Sequence, residues 1–167
     1  MKEVVASEIK PFEDNVKKEP LISEDVVLKG SPVKKSKLNE AMGTTEWTLK
    51  NGIQVIVKQT PYEADAINIE AVADGGAAIF SDEDYYSAQM LSSVMSMSGI
   101  SKFSASDLRK QLSGKNARVN VGVGTYQHAI EGTAALKDAE TMFQLMYLNF
   151  TAPRFSEDDF ATLMKRY

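Results

Sequence analysis

The sequence predicts an α+β domain in which helices cover one face of an antiparallel-rich sheet. Strand patterns of period two occur in groups joined by short turns, and three Ser-x-x-Asp patterns each precede a segment compatible with a helix. The resulting order, β-β-β-α-α-β-β-α-α, groups the helices between antiparallel strands instead of alternating them with parallel strands. These observations together predict the fold class.

The first 43 residues differ from the rest of the chain in composition. They contain three of the five prolines and sixteen charged residues, eight of each sign. Their apolar residues come in short clusters such as Leu21-Ile22, with no sustained helical or strand period. This composition predicts an extended charged connector over residues 1–43 that packs on other surfaces. A disordered tail is the alternative that composition leaves open.

The strands of the domain, residues 44–167, begin with a predicted hairpin at residues 46–58. Asn51-Gly52 is typical of a tight type I′ turn, and apolar residues alternate with polar ones before it. A third strand is predicted at residues 66–73, closed by Asp74-Gly75-Gly76.

The helices are predicted from their N-terminal serines. Ser81, Ser104 and Ser156 each stand three residues before an aspartate, so the hydroxyl can accept from a free amide while the acid favours the helix dipole. The predicted helices are residues 82–98, 105–113, 137–150 and from 157 onward. Between the second and third, alternating residues predict two paired strands at 117–123 and 125–133.

Composition excludes several classes of function. The net charge of -4 and the pI of about 5.1 argue against a nucleic-acid partner, because no basic stripe can neutralise phosphates. The absence of cysteine excludes disulfides and thiolate metal sites. The uncharged run at residues 85–101 is interrupted by serine and glutamine, so no membrane span is predicted.

Few residues are candidates for catalysis. His128 is the only histidine, and its place on a strand favours a packing role over a metal ligand. The acids in residues 82–84 and 157–159 are adjacent on helices, where side chains diverge by about 100°, so they favour helix starts over an ion site. An unrelated activity that uses His128 or the first of these clusters is the remaining alternative. The residues themselves therefore predict no catalytic, cofactor or metal site in this chain.

From Thr44 onward, however, the chain resembles a repeat unit of the insulinase/pitrilysin family of zinc metallopeptidases. The resemblance rests on the order of LKNG, a strand ending in Gly-Gly, SGISKFSASDL, SGKNARVNVGVG and MFQLMYLNFTAPRF. It implies the metallohydrolase fold of insulinase and the mitochondrial processing peptidase. The active half of such enzymes carries His-x-x-Glu-His on its first long helix, where the histidines bind zinc and the glutamate activates water.

In this sequence the motif window contains Gln89, Ser92 and Ser93 in place of histidine, glutamate and histidine. Glutamine is a poor zinc ligand, and serine is not a general base near neutral pH. The resemblance therefore implies a degenerate, non-catalytic half without zinc, with zinc expected in the catalytic half of the parent protein. We interpret the uncharged run as a buried central helix at the position where relatives bind their metal.

The resemblance also implies the partners. A non-catalytic half faces the catalytic half, to which a connector like residues 1–43 joins it, and encloses an unfolded peptide substrate. A scaffold or interaction domain without a proteolytic parent is the alternative. Because a complete half continues with further helices and strands after residue 157, the sequence is expected to be truncated at its C-terminal end. The sequence does not determine the cellular compartment of the protein. The resemblance favours the bacterial periplasm or cell envelope, and a cytoplasmic location fits the composition equally.

Overall fold

The computed structural model describes residues 19–165 and confirms the α+β class. Residues 1–18 of the expected connector and the last two residues of the chain lie outside the described part. The strands are β1 (Val33–Asn39), β2 (Thr44–Leu49), β3 (Gln54–Val57), β4 (Ile67–Asp74), β5 (Ala117–Val123) and β6 (Gln127–Ala134). The α-helices are α1 (Tyr85–Ser98), α2 (Ala105–Gln111), α3 (Ala139–Thr151) and α4 (Glu157–Met164), and short 3-10 helices cover Gly76–Ile79 and Leu136–Asp138.

The strands form two antiparallel sheets of three strands each, where the sequence pattern suggested one. The first sheet has the order β1-β2-β3 and the second has the order β4-β6-β5. In the second sheet β6 is central, so its residues pair with β4 on one side and with β5 on the other. The periodicity of a strand shows which residues share a face, but it does not show which strands are neighbours.

β1 lies inside the segment interpreted as a connector, where no strand is predicted. It pairs with β2 over most of its length, from Val33 opposite Leu49 to Asn39 opposite Thr44. All but one of its residues are exposed, so it lacks the alternation of apolar and polar residues that reveals a half-buried strand. Upstream of it, Leu21 and Ile22 pack against a buried cluster of Ile100, Leu145 and Leu148.

The β2–β3 hairpin is confirmed, but its type I′ turn is wrong. The Gly52 amide donates to the Leu49 carbonyl at 3.0 Å, and the Leu49 amide donates to the Ile53 carbonyl at 2.8 Å. Gly52 has a φ of 92°, whereas Asn51 does not have a positive φ. The loop is therefore a type I turn followed by a left-handed glycine, which makes a three-residue connection.

Two of the three serine caps lie where the sequence predicts them. The hydroxyls of Ser104 and Ser156 accept from the amides of Asp107 and Asp159, at 3.2 and 3.3 Å, and begin α2 and α4. Ser81 makes the same bond with the Asp84 amide, but this bond closes a separate turn. Helix α1 therefore begins at Tyr85, three residues later than predicted.

The core lies between the second sheet and α3. Ala117, Ala134 and Met142 are buried together, and Met142 is fully inaccessible to solvent. Gly132 of β6 lies directly beneath this helix: a methyl group at its Cα would be 2.9 Å from Met142 Sδ and 3.3 Å from Met146 Sδ. The absence of a side chain at Gly132 therefore sets how closely α3 approaches the sheet.

Asp138 joins the start of α3 to the start of β5. Its carboxylate is 4% exposed, accepts from the Asn116 amide at 2.8 Å and lies 3.4 Å from Lys115 Nζ. The Asn116 amide, and then Lys115, hold the pKa of Asp138 below its usual value although burial opposes this shift. The charge also lies at the N-terminus of α3, where the helix dipole stabilises an anion.

Candidate functional site

The motif window lies in the middle of α1, and this helix is only partly covered. Gln89 is exposed and Ser92 and Ser93 are half-buried, while Ser98 is the one residue of α1 that is buried. The predicted burial of this uncharged helix is therefore wrong for the described part of the chain. Strand β5, helices α2 and α4 and the first 3-10 helix contact α1, while Gln89 is exposed and marks the open face of this helix.

Gln89 is held within its own helix. Its Nε2 donates to the Tyr85 hydroxyl at 3.1 Å, one turn earlier. The same hydroxyl lies 3.5 Å from Thr125 Oγ1 in the β5–β6 turn. The side chain at the position of the first histidine thus belongs to a short polar chain that links the start of α1 to the end of the second sheet.

Ser92 joins α1 to β5. Its hydroxyl accepts from the Val123 backbone amide at 3.1 Å in a partly buried position. Val123 is the last residue of β5, so this bond satisfies an amide at the end of a strand and fixes the helix against the sheet. The side chain at the position of the catalytic glutamate therefore has a structural contact of its own.

The donor set of the window does not fit zinc. Zinc binds thiolate, imidazole and carboxylate groups, and the window offers one amide and two hydroxyls, of which Ser92 is engaged with Val123. Within residues 19–165 no group of three or more His, Asp or Glu side chains is placed to hold a metal ion. The chemistry of these groups also provides no base that could activate water. That the chain binds no zinc stays a prediction.

The only histidine has a structural hydrogen bond. His128 Nδ1 accepts from the Gly76 amide at 3.2 Å, and a methyl group on Gly75 would be 2.7 Å from Nε2. The neutral ring therefore has its proton on Nε2. His128 supports the 3-10 helix that follows β4, which agrees with the packing role favoured by the sequence.

The acidic clusters lie outside the motif window. Asp82, Glu83 and Asp84 are exposed in the turn before α1, and Asp84 accepts from the Ser81 hydroxyl at 2.9 Å. The second cluster, residues 157–159, forms the first turn of α4. The structure therefore places the first cluster in the turn before α1 and the second in the first turn of α4.

Sequence reasoning missed the aromatic residues at the N-terminal end of α1. Tyr86 is 74% exposed and Tyr126, in the β5–β6 turn, is 75% exposed. The Tyr86 ring contacts Tyr85 edge-on, with centroids 5.4 Å apart. One feature of the sequence marks this surface as unusual: residues 59–101, which include the N-terminal end of α1, contain seven acids but no lysine or arginine. The described helices include none that is long and apolar enough to cross a bilayer.

Comparison with solved structures identifies the fold as one found in proteases. No family model and no curated protein sequence matches the chain. The chain is similar to part of the periplasmic protease PqqL from Escherichia coli, with a TM-score of 0.82 and 20% identity over 99% of this chain. It is also similar to part of the ferredoxin protease FusC, solved as a mutant in complex with Arabidopsis ferredoxin, with a TM-score of 0.73 and 21% identity over 94% of this chain. The chain spans 18% and 17% of these two proteins.

Proposed function

We propose that the chain is a non-catalytic part of a zinc metalloendopeptidase, in which it encloses and positions a peptide substrate opposite a zinc-bearing half. This proposal rests on one observation: in a fold similar to that of proteases, the three positions of the zinc motif hold residues whose chemistry does not fit zinc binding or the activation of water. Gln89, Ser92 and Ser93 stand on the first long helix, where the resemblance locates His-x-x-Glu-His, and Ser92 is engaged with the Val123 amide.

The open face of α1 supports a role in substrate contact. Gln89 is exposed and carries a polar amide on a helix without any charged residue. Such a face can hydrogen-bond a peptide backbone without selecting a side-chain charge. One of the two similar proteases was solved with a bound protein, which is consistent with a polypeptide as the ligand of this fold.

Two measurements on the chain test the proposal. After incubation with excess zinc chloride and dialysis, the protein is expected to retain far less than one zinc per chain, and it is expected to leave a quenched fluorescent peptide uncleaved. The His128→Ala variant is the control, because it removes the only imidazole to which zinc could bind adventitiously. Stoichiometric zinc that survives this substitution, or cleavage that a chelator abolishes, contradicts the proposal.

The sequence of the gene that encodes the chain, and of its neighbours, distinguishes the two proposed roles, part of an enzyme or scaffold. If the same reading frame, or a gene next to it, encodes His-x-x-Glu-His on a comparable helix, the chain has a catalytic partner. In that case, replacing the glutamate of that motif should abolish peptidase activity of the assembled protein, while Gln89→Ala should preserve the rate of the chemical step. If the motif is absent from both, the chain is a scaffold or interaction domain of the same fold.

A further inference from the structure

We propose that the end of the domain at the start of α1 binds an extended peptide segment that carries lysine or arginine next to an apolar residue. This inference rests on the proposed function and names the substrate chemistry that the domain selects. The surface consists of Ile79, Phe80, Tyr86 and Tyr126, called the aromatic end below. Their exposed fractions are 66%, 50%, 74% and 75%, so four large apolar or aromatic side chains lie in solvent.

Backbone hydrogen bonds hold the segments of the aromatic end together. The Gly75 amide donates to the Tyr126 carbonyl, and the amides of Ala77 and Ala78 donate to the carbonyls of Gly124 and Thr125, all at 2.8 Å. The 3-10 helix that ends at Ile79 is therefore fixed on the β5–β6 turn that carries Tyr126. The aromatic end is thus built on hydrogen-bonded backbone, and a ligand would not have to order it.

Tyr85 joins the start of α1 to the same turn. Its hydroxyl lies 3.5 Å from Thr125 Oγ1, and its ring contacts the Tyr86 ring edge-on at 83°. Tyr86 is also one helical turn from Gln89, since residues three apart share a helix face. The aromatic end is therefore continuous with the open face of the motif window.

The charge around the aromatic end identifies the chemistry of the ligand. Asp82, Glu83 and Asp84 lie between Phe80 and Tyr86, all exposed, and no described residue forms an ion pair with them. The nearest basic residues along the chain are Lys58 and Lys102. This uncompensated negative charge favours a cationic partner and raises its rate of association at low salt.

The exposed rings favour the same ligand independently. The face of a tyrosine ring attracts an ammonium or guanidinium group, and the aliphatic stems of lysine and arginine cover apolar surface at the same time. An apolar residue next to the cation would pack on Ile79 and Phe80. The acids and the rings thus both select a segment in which a cation and an apolar side chain are adjacent.

Fluorescence anisotropy with the chain itself tests the inference. The probe is a fluorescein-labelled unstructured ten-residue peptide with three lysines, two leucines, one phenylalanine and glycines. The two comparison peptides carry glutamate in place of lysine, or serine in place of leucine and phenylalanine. We expect the first peptide to bind, the glutamate peptide to show no binding, and the serine peptide to bind more weakly. The affinity for the first peptide should fall as sodium chloride rises.

Variants locate the binding. Tyr86→Ala with Tyr126→Ala should weaken binding about 5- to 30-fold, as expected for two exposed cation–π contacts. Asp82→Asn with Glu83→Gln should weaken binding and flatten the salt dependence, while leaving the Ser81–Asp84 turn intact. The matched control is Tyr62→Ala, which removes an 86% exposed tyrosine before the start of β4. This strand is about 25 Å long and separates Tyr62 from the aromatic end.

Each outcome decides the inference. Equal binding of the lysine and glutamate peptides, equal loss in the Tyr62→Ala control, or no binding of the lysine peptide overturns it. A concentration-dependent dimer that the Tyr86→Ala, Tyr126→Ala variant abolishes also overturns it, because the aromatic end would then be a contact between copies. Binding that the variants leave unchanged contradicts the aromatic end alone and keeps a peptide-enclosing role on another surface. The metal and gene tests decide the proposed function separately.

Discussion

Replacing Gly132 by alanine is expected to destabilise the domain by pushing α3 away from the sheet. The added methyl group would lie 2.9 Å from Met142 Sδ, 3.1 Å from Met142 Cγ and 3.3 Å from Met146 Sδ. The 2.9 Å contact is closer than real Cβ atoms come to another heavy atom, so either the methionine or the helix must move. Met142 is fully buried, so its side chain cannot give way by turning out into solvent.

The magnitude follows from overpacking. One extra methyl group in a well-packed core costs about 1–3 kcal/mol. Gly132 does not have a positive φ, so backbone strain adds nothing to this value. Met142→Ala alone should cost about 2–5 kcal/mol, because it leaves a cavity. In the double variant the new methyl group occupies part of that cavity, so the combined loss should be smaller than the sum by about 1–3 kcal/mol.

Urea denaturation followed by circular dichroism measures these differences. With a slope of about 2 kcal/mol per M, the Gly132→Ala midpoint should fall by about 0.5–1.5 M. The matched control is Gly122→Ala on β5, where the added carbon would lie 3.9 Å from the Ala129 carbonyl, an ordinary contact. Its effect should stay within about 0.5 kcal/mol. Equal midpoints for the two glycine variants, or strictly additive losses with Met142→Ala, would refute the reasoning.

Three further variants test single hydrogen bonds. Ser92→Ala should cost about 1–2 kcal/mol in urea denaturation, because the Val123 amide loses its acceptor in a partly buried position. Asp138→Asn should destabilise the chain at neutral pH. Folding lowers the pKa of this carboxyl, so the stabilisation is present above the unfolded pKa of about 3.9 and disappears as pH falls through the lower folded pKa. The thermal melting curves of wild type and variant should therefore converge in acid. Ser104→Ala should cost about 0.5–2 kcal/mol through the loss of the α2 cap, again by urea denaturation.

Neighbouring residues provide the controls. Ser93→Ala changes the same residue type in the same helix and should cost less than Ser92→Ala, and equal effects would contradict a specific bond to the Val123 amide. Ser81→Ala removes the cap of an exposed turn and should cost less than Ser104→Ala. For Asp138, a difference between wild type and variant that persists unchanged in acid would contradict the linkage.

Local patterns in the sequence predicted most of the elements. Alternating residues and glycine-containing turns identified five of the six strands, and the Ser-x-x-Asp patterns identified the starts of α2 and α4, because these signals depend on near neighbours along the chain. The same rule placed the start of α1 at residue 82, but the bond of Ser81 closes a turn and the helix begins at Tyr85. A cap pattern alone does not distinguish a turn from the first turn of a helix.

Contacts between distant residues could not be predicted in this way. β1 was missed because its exposed residues have no apolar period, and the division into two sheets depends on pairing that periodicity does not encode. The window at Gln89, Ser92 and Ser93 was identified from resemblance, but the bond from Ser92 to the Val123 amide joins residues 31 positions apart. The open face of α1 was missed because residue type alone does not show which side of a helix is covered.

The order of strands in the second sheet has a consequence for how the chain folds. β4 pairs with β6 from Ile67 opposite Ala134 to Asp74 opposite Gln127, so more than fifty residues separate each pair along the chain. The first sheet and the β5–β6 hairpin pair only strands that follow one another, and they close short loops at small entropic cost. Pairing of β4 with β6 closes a long loop that contains α1, α2 and β5, and such long-range pairing slows folding. Amide exchange should accordingly find β4 to be the strand of its sheet that opens most readily.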